Sequence, residues 1–139
     1  MKTLIFTVMA LLFVGTASVF GQKEMKDEGK KSEHAFAIKE LKLFHDVLHP
    51  LVHDALPKGD FGRIRSNLEK LLKKATAIDK AKLPKDLAGR KAEFKTKSGE
   101  LVTLLTEMVS MKDKVDDDTL EKMFNEMHER FEQLAEIVK

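Results

Sequence analysis

His45, His49 and His53 stand four residues apart in Phe44-His45-Asp46-Val47-Leu48-His49-Pro50-Leu51-Val52-His53, and they are three of the chain's five histidines. Residues four apart share one helical face, with Cβ atoms about 5–6 Å apart, so adjacent imidazoles of this run can reach a single ion. Paired histidines at i and i+4 are the ligand arrangement of helical zinc motifs, and imidazole also suits copper, nickel and iron. On a helix rising 1.5 Å per residue, His45 and His53 lie about 12 Å apart and cannot share one ion. Two ligand sets therefore arise, each needing a group from elsewhere. One joins His45 and His49 with His128; the other joins His49 and His53 with something from the last helix. Pro50 lies inside the run, lacks the N–H that would bond the Asp46 carbonyl, and is expected to kink the axis there.

The elements that must position these rings are legible as apolar stripes. Ser32 is a plausible cap for a first helix of about 33–56, in which Ala37, Leu41, Phe44, Leu48, Leu51 and Ala55 recur at spacings of four and three. Leu56-Pro57-Lys58-Gly59 ends it. Asp60 caps a second helix carrying Phe61, Ile64, Leu68, Leu71, Ala75 and Ile78. After a break at Ala81–Asp86, a third helix runs to about Lys112 with Leu101, Leu104, Met108 and Met111 on its stripe. Gly89 and Gly99 weaken its first half, which allows a start as late as Ser98. Asp118 and Glu121 have capping-box spacing for a fourth helix with Leu120, Phe124, Met127, Phe131, Leu134 and Val138. No segment alternates with period two. The expected fold is all-α, an antiparallel up-down-up-down four-helix bundle over residues 32–139.

In such a bundle the first and last helices are neighbours, and matching their midpoints sets His45 level with His128. Each follows a stripe residue, Phe44 and Met127, so each belongs at the edge of the core. His34 reads as a surface residue. Met108, Met111, Met123 and Met127 gather at one end and read as core filler, with a soft copper site as the other reading. Asp113 and Asp116–Asp118 read as caps and first-turn charges.

Residues 1–21 have the layout of a cleaved signal peptide: Lys2, the apolar run Thr3–Val14, then small residues up to Gly21. Residues 22–31 are a charged, flexible leader. The mature chain of about 118 residues is one domain, expected to be exported to a periplasmic or extracellular compartment. Removing Lys2 from 25 basic residues leaves 24 against 23 acidic ones, a balance that makes no case for nucleic acid or a membrane surface as partner. The absence of cysteine removes thiol catalysis, thiolate metal sites and covalent haem attachment together. With no tryptophan or tyrosine, stacking platforms for sugars or bases are not expected.

An exported four-helix chain of this length resembles the periplasmic cytochrome bundles of the b-type and c-prime kinds. The c-prime kind carries a Cys-x-x-Cys-His run in its last helix, and this chain has no cysteine. The b-type kind uses a methionine from its first helix, where this chain has none, so haem would need His45 and His128 together. There is no HExxH, no phosphate-binding glycine loop and no Ser-His-Asp arrangement, and a non-enzyme is expected. The leading expectation is a zinc- or copper-binding bundle, with a metal ion as partner and room for self-association or a partner protein. A helical interaction or stress module with structural histidines is the runner-up, and a b-type haem carrier the third.

Overall fold

The computed structural model describes residues 36–139. The signal segment, the leader, Ser32 and His34 lie outside the described residues. Four α-helices follow one another: α1 (Lys39–Pro50), α2 (Phe61–Lys80), α3 (Lys91–Met111) and α4 (Asp117–Ile137). A π-helical turn (Leu51–Ala55) and a 3-10 turn (Leu56–Lys58) extend α1, and a second 3-10 turn (Lys85–Arg90) leads into α3. Among the described residues there is no strand, so the fold is all-α, a four-helix bundle. None of these helices is long and apolar enough to cross a membrane.

The stripes read from spacing form the core. Leu41, Phe44, Leu48, Leu51 and Ala55 of the first segment are buried against Ile64, Leu68, Leu71, Ala75 and Ile78 of α2 and the inner faces of α3 and α4. Burying each large apolar side chain is worth about 1.5–3 kcal/mol, which offsets the entropy lost by ordering the helices. α1 packs on α2, α2 on α3, and α3 on α4. Aromatic rings span the remaining seam between α1 and α4, with Phe44 stacked on Phe131 at 4.8 Å between centroids.

Helix ends follow local chemistry where a short polar side chain can reach back. The Asp60 carboxylate accepts from the Arg63 N–H at 3.1 Å and caps α2 as expected. Gly59 turns left-handed at φ 66°, and the Asp60 and Gly59 amides bond the carbonyls of Ala55 and Leu56. That pair of bonds is a Schellman closure, and a side chain at position 59 would strain it.

Two boundaries differ from the reading of the sequence, and the start of α3 falls at the earlier of its options. α1 begins at Lys39 and not near residue 33, because Ile38 is extended (φ −125°) and its side chain is buried while Ala37 is exposed. The extended entry lets Phe36 fold back to 5.3 Å from His45 and 6.0 Å from Phe131, a contact a continuous helix would forbid. α3 is already helical at Lys91, and Ser98 is a fully buried mid-helix residue and no cap. Packing of Phe94 and Ser98 outweighs the glycine penalty at Gly99. The cap of α4 is Asp116, which accepts from the Thr119 N–H at 2.8 Å, so Asp118 lies inside the first turn.

Candidate metal centre

Phe44, Leu48 and Leu51 fix the rotation of α1 by facing the core, and the histidines fall beside that stripe. His45 is half-buried, while His49 and His53 are exposed. The rings form a ladder, His45 to His49 at 5.3 Å and His49 to His53 at 4.4 Å between centroids. The spacing rule thus delivers the three-ring row. Its lower rung is the tighter one, and it lies across Pro50.

Proline changes the local hydrogen bonding without ending the helix. Pro50 has no N–H, the Leu51 amide reaches back three residues to the Leu48 carbonyl, and the Leu56 amide reaches five residues to Leu51. The helix widens into a π turn where an α-helical bond has been lost. His53 sits on that turn, so the widened backbone sets the 4.4 Å approach to His49. Buried Leu51 and Ala55 hold the turn against the core.

The carboxylates beside the ladder are already engaged with cations. Asp46 accepts from Lys42 at 2.8 Å. Asp54 pairs with Lys58 and, at 2.6 Å, with Arg63 of α2. Hydrogen bonds from Lys58 and then Arg63 hold the Asp54 carboxyl below the usual carboxylate range. A metal ion at His49 and His53 would therefore meet imidazole nitrogen first.

His45 and His128 are placed differently. The His45 ring packs against Phe36 at 5.3 Å and stacks on Phe131 at 6.2 Å and 25°, and those two rings also touch each other. His128 is half-buried at the edge of the core, as its position after Met127 implies, and its Nε2 is 3.4 Å from the Glu132 carboxylate one turn along α4. That pairing and Lys58 with Asp54 have i, i+4 spacing, a signal the reading of the sequence did not use. The fold-back of Phe36 was not, because it depends on a non-local contact. Among the described residues, no group of three or more His, Cys, Asp or Glu side chains is arranged to hold a metal ion. Met108 and Met127 are fully buried in the core, and Met111 and Met123 line a polar-edged groove of about 470 Å³ between α3 and α4.

Comparison with family models, curated proteins and solved structures finds no match for this chain.

Proposed function

We propose that this protein is an exported, non-catalytic metal-binding bundle that takes zinc or copper through the histidines of α1 and of the π turn that extends it, for storage, transfer or sensing. One observation carries the reading: two exposed imidazoles, His49 and His53, lie 4.4 Å apart on a backbone turn that proline has reshaped. Export rests on the signal-like segment at residues 1–21. An up-down-up-down path is supported by the bonds between helix ends. Arg65, near the start of α2, bonds Lys112 and Val115 beyond the end of α3, while Asp79 at the end of α2 bonds Lys95 at the start of α3. Likewise Arg90, just before α3, donates to the Ile137 carbonyl at the end of α4.

A second reading, a helical interaction module with structural histidines, has its own support. His45 packs against the rings of Phe36 and Phe131, and His128 faces Glu132 on its own helix. Thermal unfolding with added zinc or copper separates the two. Metal that binds only the folded state stabilises it by about 2.7 kcal/mol at a hundredfold excess over Kd. The rise in Tm should appear at pH 7.5 and vanish by pH 5, because protons compete for imidazole below its ordinary pKa of about 6.5. His49→Ala combined with His53→Ala should abolish it, and His34→Ala should leave it intact. A rise that persists at pH 5 would transfer the site to carboxylates. No rise with either metal would leave the interaction module.

A further inference from the structure

The pair at His49 and His53 offers two protein ligands, whereas closed zinc sites are tetrahedral with four. Among the described residues nothing nearby completes the set. Asp46 is held by Lys42, Asp54 is held by Lys58 and Arg63, and no third metal-binding side chain is grouped with the pair among the described residues. Among the described residues His45 is the further ring in contact with His49, and it is half-buried against Phe36 and Phe131.

Building on the metal-binding reading above, we propose that the site is completed by a second copy of the chain. One zinc ion is held by His49 and His53 of each copy, and the two-fold axis passes through the ion. A two-fold interface uses the same patch on both partners, so one exposed pair supplies all four ligands. Four neutral imidazoles in tetrahedral array suit Zn²⁺ better than Cu²⁺, which favours tetragonal geometry. Charge does not oppose the approach. The flanking side chains alternate in sign (Lys42 with Asp46, Lys58 and Arg63 with Asp54), and the formal net charge of the whole chain is only +2.

Sedimentation of the purified protein at pH 7.5, titrated with zinc sulfate and with bound zinc measured alongside, tests both levels. The expected result is a doubling of mass that saturates at half an equivalent of zinc per chain and reverses with EDTA. His49→Ala and His53→Ala should each remain monomeric with unchanged helical circular dichroism, since both rings are exposed. His128→Ala should dimerise like wild type. Zinc bound at one ion per chain with no change in mass would overturn the dimer and leave the metal-binding reading standing. No bound zinc would overturn the zinc-bridged dimer and leave copper as the one metal for the reading it rests on. A doubled mass that survives EDTA, or that persists in the His49→Ala and His53→Ala variants, would show an interface that the ion does not make.

Discussion

The segment from Lys39 to Lys58 and the trio α2–α4 are held in place by different forces. Polar side chains cross between the helices of the trio. Arg65 reaches the carbonyls of Lys112 and Val115 and the Asp117 carboxylate, and Lys112 pairs with Glu69 at 2.7 Å. At the other end, Asp79 accepts from Lys95 at 2.6 Å and from the buried Ser98 hydroxyl at 2.7 Å. The first segment instead rests on apolar and aromatic surface, with Arg63 to Asp54 tying its end to α2. The Ile38 side chain gives α1 no capping bond, and its C-terminal end runs through Pro50 and a π turn. Where cations and carboxylates are used up between helices, they build the scaffold. On α1 the acids are neutralised beside the ladder, and two imidazoles face outward. Apolar packing holds the first segment and leaves its two outer imidazoles exposed.

Removing the aromatic contact should break this contrast most severely. Phe131 is 3% exposed and touches Phe36, Phe44 and His45, so it is the main aromatic support of α1. Truncating a core phenylalanine costs about 3–5 kcal/mol. Phe131→Ala should lower the denaturant midpoint accordingly, and amides of α1 should exchange with solvent faster than those of α2 and α3. Equal acceleration in all four helices would show that α1 is no more weakly attached than the rest.

The next effect belongs to the trio. Arg65 spreads one guanidinium over two carbonyls and a carboxylate in the turn between α3 and α4. Bonds from a charged donor contribute about 1.5–3 kcal/mol, and part-buried carbonyls left without a partner add a penalty. Arg65→Leu should cost about 2 kcal/mol in chemical denaturation. Arg65→Lys should recover less than half of that, because an ammonium cannot span the same three acceptors. Full recovery by lysine would reduce the clamp to a point charge.

The parts of the fold readable in advance were those fixed by local chemistry. Apolar spacing located four helices, and the Pro-Lys-Gly-Asp turn announced both the stop of the first segment and the Asp60 cap. Asp116 and Asp118 offer similar capping chemistry three residues from Thr119 and Glu121, and the choice falls to Asp116 where Arg65 pins Val115 and Asp117. That tie spans about fifty residues, beyond any local pattern. For the candidate site, spacing alone placed His45, His49 and His53 in one row. Pro50 marked a disturbance, but its outcome as a π turn depended on Leu51 and Ala55 staying buried. Likewise Phe36 reaches His45 only because Ile38 is extended.

The smallest expected effect concerns acid. Lys95, and then the Ser98 hydroxyl, bond the Asp79 carboxylate and hold its pKa below the ordinary 3.8 against the opposing effect of burial. A carboxyl whose pKa is depressed in the folded state stabilises the fold above its unfolded pKa, and that contribution is lost as pH falls through the folded value. Asp79 should therefore support the α2–α3 joint fully at neutral pH and progressively less below about pH 4. Asp79→Asn keeps an acceptor for Ser98 but gives up the charge facing Lys95, a loss of about 1 kcal/mol at pH 7. The gap between wild type and this variant, read from urea midpoints, should narrow as pH drops from 5 to 2. Asp46→Asn makes the fitting control, because the exposed pair with Lys42 lies within α1 and is worth a few tenths of a kcal/mol. An Asp79→Asn gap that stays constant down to pH 2 would mean that shape and not charge joins α2 to α3, and the trio would then be held by the same forces as α1.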